Sequence, residues 1–423
     1  MLIKLPYGGD KKLLNLPDER IKAVLTSKVE EYKPEDSEVE LVKNALQNPI
    51  KSKPLHSLAE GKKNIVIISS DHTRPVPSHL TMPVLLEEIR KGNPDAEITI
   101  LVATGFHRLT TEEELRDKYG REIVDNEKIV VHDCRDDNTL IKLGVLPSGG
   151  DLILNRVAVE ADLLLAEGFI EPHFFAGFSG GRKSVLPGIA SGKTVLANHC
   201  SEFIDHKNAR TGVLEGNPLH KDMLYAANKA GLAVILNVVL NGEKEIINAF
   251  AGDSEKAHQE GCKFINNLAG VDMEEADIVI TTNGGYPLDQ NIYQAVKGMT
   301  AAEAVCKKNG VIIMAAECSD GHGGEEFYNT FANSDSLEGV MKDILSRDRN
   351  ETVPDQWESQ ILARVLMHHT VIMVTDVSAQ IVEKMHMKWA GSLDEAIEMA
   401  EKIVPNPQAE ITVIPDGVAV VVK

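Results

Sequence analysis

The chain has 423 residues, more than one ordinary domain holds; 43 % are hydrophobic and only 4 % aromatic, which predicts two domains with mainly aliphatic cores. Its 44 Lys and Arg against 64 Asp and Glu leave a formal charge of −20, a field that repels polyanions, so nucleic acid is excluded as a partner while a local cationic pocket for a small anion is not. The opening MLIKLPYGGDKKLL lacks the apolar run of a signal peptide, no stretch approaches the ~20 apolar residues of a membrane span, and the five cysteines form no C-x-x-C pair; a cytoplasmic protein with reduced thiols, no membrane partner and no zinc knuckle is expected.

In chain order, NIVIIS (64–69), EITILVAT (97–104), KIVVHD (128–133) and DLLLAEG (162–168) read as buried strands. MPVLLEEIRKG (82–92) has apolar residues at helical spacing, and TTEEELRDKYG (110–120) opens on Thr and Glu and closes on Gly, the chemistry of a capped helix. The alternation predicts βαβ units and a largely parallel sheet. LAVILNVVLNGEKEIINAFAGD (232–253) sets two apolar runs around Asn-Gly, a hairpin signal, and AHQEGCKFINNLAG (257–270) reads as a helix. Near Val271 the pattern restarts. ADIVITTNGG (276–285) is a strand with a glycine turn, NIYQAVKGMTAAEAVCKKNG (291–310) a helical stretch ending in Gly, and GVIIMAAECSDG (310–321) another strand; TVIMVTD (370–376) and SLDEAIEMAEKI (392–403) continue the alternation. The final EITVIPDGVAVVVK (410–423) reads as strands around a Pro-Asp-Gly turn and is assigned to the first domain. The expectation is an α/β fold of two α/β domains with mostly parallel sheets, one over 1–270 plus 405–423 and the other over 271–404. Because ligands bind beyond the carboxyl ends of parallel strands, the site belongs in the cleft between them.

The residues that carry chemistry follow strands. DHTRPVP follows NIVIIS, GFHR follows EITILVAT, GFIEPH follows DLLLAE, and TNGGYPLDQ follows DIVIT. GGRKS (180–184) and SGKT (191–194) each resemble part of a Walker loop, but Pro187 stands where SGKT needs its first glycine and Arg182 separates glycine from lysine in GGRKS, so an ATPase is not expected. A glycine-rich backbone nest for another phosphate remains open. His107 and His173 each follow Gly-Phe after a strand; either alone reads first as a loop histidine bonded to backbone, but the two together shift the reading towards an acid/base pair. His199, in LANHC, has no partner at metal-ligand spacing. Gln294 and Lys297 share a helix face and could reach one small anion, or form a solvated surface. Asp71, Thr73 and Arg74 lie in one proline-stiffened loop.

Taken together, DHTRP (71–75), TGFHR (104–108), GFIEPHFFAGFSGGRKSVLPGIA (168–190), ANHC (197–200) and NGGYPLDQNIYQAVKG (283–298) resemble the nickel-dependent lactate racemase family. The resemblance covers most of the chain. It implies a racemase of a 2-hydroxy acid, lactate first, with a nicotinate-derived mononucleotide whose sulfur groups grip nickel(II) as a pincer (a nickel pyridinium-3,5-bisthiocarboxylic acid mononucleotide). It implies that this cofactor is tethered to Lys183, with Asp71, His72, Thr73 and Arg74 along its binding loop, and that His199 completes the nickel coordination. It further implies acid/base roles for His107 and His173, substrate contacts from Arg74, Tyr293, Gln294 and Lys297, a place near the site for Trp357, and a need for cofactor-synthesis proteins in maturation. A 2-hydroxy acid has no amine through which to form an imine and acidify its α-proton, so reversible hydride transfer through pyruvate is the natural route. The open alternatives are another 2-hydroxy acid, a non-catalytic binding protein, and a lysine- or phosphate-dependent enzyme without nickel.

Overall fold

The computed structural model describes residues 1–406 and 408–423 and consists of two six-stranded sheets with helices on their faces. In the first sheet the strands lie in the order Ile246–Asp253, Leu232–Leu240, Leu163–Phe169, Asn64–Ser70, Glu97–Ala103, Lys128–Val131, and all but Ile246–Asp253 run parallel. In the second the order is Lys388–Ala390, Thr370–Val374, Cys306–Ala315, Ala276–Thr282, Ile411–Ile414, Ile21–Val24, parallel throughout. The strands are apolar on both faces because both are covered. Successive side chains alternate: Ile65 and Ile67 enter one core, Val66 and Ile68 the other, as Ile278 and Ile280 oppose Val279. The core holding Val66, Ile68 and Val279 also takes in Ile204, Met299 and Leu362, so one continuous apolar layer joins the two sheets.

The helix of 110–120 forms over Glu112–Tyr119 with a complete capping box, Thr111 with Glu114, and ends at Gly120, whose φ of +84° suits glycine. The helix read over 82–92 begins earlier, at Ser78, and carries Pro83 as its sixth residue, where proline removes the amide that would bond the His79 carbonyl. The Asn-Gly hairpin is present, its strands Leu232–Leu240 and Ile246–Asp253 joined by a loop that Asn241 closes onto Glu245. Two expectations need correction. Residues 306–310 are not the tail of a helix: the helix stops at Glu303 and Cys306–Ala315 is one strand, because Cys306 pairs with Ala276 and extends the ladder. The segment 411–414 does not return to the first domain. ITVI is fully buried and needs a partner on each side; it finds Ala276–Thr282 and Ile21–Val24, which places the chain's early residues in the second sheet as well. Val421–Val422 does reach back, to Gly270–Val271.

The five cysteines are buried with free thiols. Among the described residues no helix is long and apolar enough to cross a membrane. In the first sheet the strands Asn64–Ser70, Glu97–Ala103 and Leu163–Phe169 end on one side, where they release the loops that carry the histidines and the lysine.

Candidate active site between the two sheets

Asp71 follows its strand directly and is 1 % exposed. One carboxylate oxygen accepts from the Thr73 amide at 3.1 Å and the Thr73 hydroxyl at 2.6 Å; the other accepts from His107 Nδ1 at 2.7 Å. Burial works against the Asp71 carboxylate, but the hydrogen bonds and charge of His107, with Thr73 and Arg74, outweigh it and hold the carboxyl below its ordinary value. His107 is therefore bonded to a carboxylate, not to backbone, and giving its Nδ1–H to Asp71 leaves a lone pair on Nε2. Its loop is fixed by Gly105, at φ +55°, whose amide donates to the Gly188 carbonyl at 2.9 Å. Arg74 Nη1 donates to the Thr73 hydroxyl at 2.9 Å. His72 turns the other way, to Thr110 Oγ1 at 3.0 Å and towards Glu114.

His173 lies in a two-residue ribbon, Pro172–His173 against Gly177–Phe178. Gly177 turns the ribbon at φ +79°, and a Cβ there would meet the Val213 carbonyl at 2.4 Å. The His173 ring stacks on Phe174 at 5.0 Å, and its Nδ1 faces the Phe175 and Ala176 amides at 3.5 and 3.3 Å. Burial first, then the charges of Lys183, Lys297, Arg74 and Arg182, push its imidazole well below its ordinary value. Lys183 sits on the 3-10 turn Gly181–Ser184, entered through Gly180 at φ +75°. Burial again comes first, followed by Arg182, Arg74 and Lys297, in holding its ammonium far below the ordinary lysine value; Glu171 offsets part of this. Its charged form is disfavoured by burial and by the cations around it.

Arg182, an interruption in the Walker comparison, holds this turn together. It is 2 % exposed and donates to the carbonyls of Ala176 and Phe178, both at 2.7 Å, while its Nε reaches His220 Nδ1 at 3.0 Å. Its carbonyl partners flank Gly177 in the ribbon that presents His173. An arginine inside a glycine turn was the available signal, but its six-residue reach to Ala176 is visible only in three dimensions.

SGKT forms an ordinary helix start. Ser191 Oγ accepts from the Thr194 amide at 3.2 Å, and Thr194 Oγ1 donates to the Asp151 carbonyl at 2.7 Å. The helix Gly192–Asn198 delivers His199, which is 5 % exposed. His199 Nδ1 lies 2.9 Å from the Val195 carbonyl, leaving Nε2 available, and burial followed by the Lys183 charge pushes its imidazole down to about 3. A neutral imidazole whose other nitrogen is fixed on a carbonyl is the usual form of a metal-binding histidine. Among the described residues no group of three His, Cys, Asp or Glu side chains could enclose a metal, so further donors would have to come with a ligand. Phe175 and Trp357 pack edge-on against the His199 ring at 5.4 and 5.1 Å.

The second domain closes the cleft with the helix Ile292–Glu303, capped by Asn291, whose Oδ1 accepts from the Gln294 amide at 2.9 Å. Gln294 Oε1 accepts from Lys297 Nζ at 2.5 Å, and Lys297 lies 5.9 Å from the centre of the Phe174 ring across the cleft. Tyr293 donates its hydroxyl to Asp355 at 3.0 Å, just before the helix Gln356–His368 that carries Trp357. The structure thus places His173, Lys183, His199, Lys297 and Trp357 around Phe174 and Phe175, with Arg74 and the Asp71–His107 pair on the neighbouring loops. Asp71 as the partner of His107, and Arg182, are the residues that sequence reasoning missed.

The arrangement is that of a two-domain α/β enzyme acting on a small anion. Family models described as the lactate racemase N-terminal domain and the lactate racemase C-terminal domain match residues 7–212 and 271–422. A lactate racemase of Thermoanaerobacterium thermosaccharolyticum is 62 % identical over 422 residues, and one of Lactiplantibacillus plantarum 56 %; each alignment spans 100 % of this chain and 99 % of the relative. The solved structure of the lactate racemase apoprotein from Thermoanaerobacterium thermosaccharolyticum superposes with a TM-score of 0.97 at 61 % identity, covering both chains in full. A Thermotoga maritima protein, 19 % identical with a TM-score of 0.65 over 93 % of this chain, shares the fold. The chain belongs to the lactate racemase family and is an isomerase.

Proposed function

We propose that the protein interconverts D- and L-lactate by reversible hydride transfer through pyruvate, using a nickel-pincer mononucleotide tethered to Lys183. The observation that carries this reading is the convergence in one cleft of Lys183 on Phe175, of His199 with its Nδ1 fixed on the Val195 carbonyl against the same ring, and of Lys297 on the adjoining Phe174. The residues fit the group. Lys183 would hold it covalently, His199 would give nickel its one protein ligand, and the backbone turns at Gly180 and Gly188, with Asp71, Thr73, Arg74 and the backbone of His72, whose ring turns away to Thr110, would line its nucleotide. A soft sulfur and carbon donor set plus one imidazole suits square-planar Ni(II). When bound, the cofactor supplies a reversible acceptor for the α-hydrogen of lactate as hydride.

The chain's own residues do the rest. Arg74 and Lys297 hold the lactate carboxylate, with Gln294 and Tyr293 beside them, and keep the flat pyruvate in place while its second face is presented. His107, its Nδ1 on Asp71, takes the hydroxyl proton of one enantiomer at Nε2. His173 serves the other enantiomer; the arriving carboxylate offsets the cations around it and raises its basicity when it is needed. Phe174, Phe175 and Trp357 keep the site apolar. Maturation requires cofactor-synthesis proteins, which places the enzyme with them in the cytoplasm.

The test is the intact mass, the Lys183 peptide mass, the nickel content and a chiral lactate assay on protein produced with those partners. Added mass on Lys183, bound nickel and racemisation of lactate are expected. Folded, partner-supplied protein with neither adduct nor nickel would overturn the cofactor, and a loaded protein inert on lactate would move the substrate to another 2-hydroxy acid.

A further inference from the structure

The helix Gln356–His368 begins QWESQ, and four of these five side chains are polar or charged yet buried: Gln356, Glu358, Ser359 and Gln360 are each no more than 2 % exposed. Two have clear duties. Gln356 Oε1 accepts from Arg347 at 2.9 Å, and Gln360 Nε2 donates to the Ser201 carbonyl at 2.8 Å, joining this helix to the segment that follows His199. Glu358 has none of this kind. Among the described residues no donor reaches its enclosed Oε1. An ionised carboxylate without donors in a dry site is strongly disfavoured, so such a group takes up a proton unless a cation holds it.

The cation that acts on it is Lys297, from the packed helix Ile292–Glu303. The same helix presents Tyr293, and Asp355 precedes Glu358 on its own element. From the first domain, His199 meets the neighbouring Trp357, while Arg74 and Glu171 act on Lys297. The helices Glu325–Ala332, Leu337–Ser346 and Ser201–Asp205, also packed against this one, contribute Phe327, Ile344 and Ile204 to the shared apolar core.

We propose that Glu358 is a positioning residue behind the carboxylate-binding Lys297, an internal carboxyl whose ionisation competes with the substrate carboxylate for the same ammonium. With Glu358 protonated, the Lys297 charge is free for lactate. With Glu358 ionised, that charge is already answered from inside the protein, and lactate is captured less well. Burial raises the Glu358 carboxyl to about 8, with Lys297 pulling it down and Asp355 pushing it up, so the exchange falls in an accessible range. The sign follows: the pair is net positive below that range and net neutral above it, and substrate affinity falls as pH rises. This rests on the reading of Lys297 as a carboxylate holder.

The experiment measures KM and kcat for lactate on cofactor-loaded enzyme from pH 6 to 10, for the wild type, Glu358→Gln and Lys297→Met. In the wild type KM is expected to rise about five- to tenfold between pH 7 and 9, the response to one proton, with kcat changing less. In Glu358→Gln, which cannot ionise, the rise centred near pH 8 disappears; burial lowers the Lys297 ammonium and the Glu358 charge opposes this, so the variant's own rise, that of the Lys297 proton, is displaced from the wild type's. A rise that persists unchanged in Glu358→Gln while Lys297→Met raises KM overturns the inference and leaves the carboxylate-holder reading intact. An unchanged KM in Lys297→Met overturns both. Should Glu358→Gln fail to fold or load, the wild type decides: a flat KM between pH 7 and 9 overturns the inference, and a rise confined to KM supports it.

Discussion

His107 and His173 occupy the same kind of place, two residues after a strand-end glycine in one case and five in the other, yet their surroundings are opposite. His107 leans on a buried carboxylate at 2.7 Å. Among the described residues no carboxylate bonds His173; burial first, then Lys183, Lys297, Arg74 and Arg182, oppose its protonation. The two groups proposed to serve mirror-image substrates are therefore unequal in the free protein. The lesson is that a symmetric task does not need a symmetric site. The substrate brings one negative charge, and it is felt most where cations are densest, beside His173.

Four experiments sharpen or break this comparison. Lys183→Ala should have the largest effect: no adduct by intact mass and no racemisation, while the fold, read by circular dichroism, is kept; retained adduct and activity would remove Lys183 from its role. His107→Ala and His173→Ala should each lower kcat by about 10²–10⁴-fold, the range for a lost acid/base group. Equal losses at every pH would argue that the unequal surroundings have no kinetic consequence. Asp71→Asn should follow at about 10²-fold in kcat, because an amide no longer fixes Nδ1–H of His107 as a carboxylate does; the same change should leave Lys183 adduct formation intact, which peptide mass checks.

The smallest effect concerns stability against acid. His199 is neutral in the folded protein down to about pH 3 but titrates near 6.5 when unfolded. Between those values the unfolded chain binds more protons, so its contribution to stability is present above the unfolded value and is lost as pH falls towards 3. Cofactor-free wild type should therefore lose more thermal stability from pH 6.5 to 4 than His199→Gln, by scanning calorimetry; parallel curves would show that His199 is not held neutral.

Much of this site was legible because its chemistry is local. Histidine, lysine and glycine crowd into loops that directly follow β-branched runs, and the strand-loop-helix alternation says where those loops gather. What was not legible depends on distance. Asp71 and His107 are 36 positions apart and meet because their strands are neighbours. Arg182 looked like a defect in a phosphate loop because its value lies in the carbonyls it collects. The pairing of ITVI was misjudged for the same reason: an apolar run shows that a strand is buried, and nothing in the run names its partners. In the helix start QWESQ only Trp357 was legible, through the resemblance; its polar residues carried no signal, since polar residues near a helix start usually face water.

The pairing of Ile411–Ile414 with Ile21–Val24 has a consequence for synthesis on the ribosome. The strand Ile21–Val24 emerges early and waits, unpaired, for a neighbour that emerges after every other strand of its sheet. The long sequence separation makes this contact slow and late. Lys297 and Trp357 are set on helices packed against that sheet, so the second wall of the cleft is completed only when nearly the whole chain is available. An interrupted nascent chain would carry the Lys183 loop but lack its opposing wall, and it would expose the apolar layer that the two sheets share.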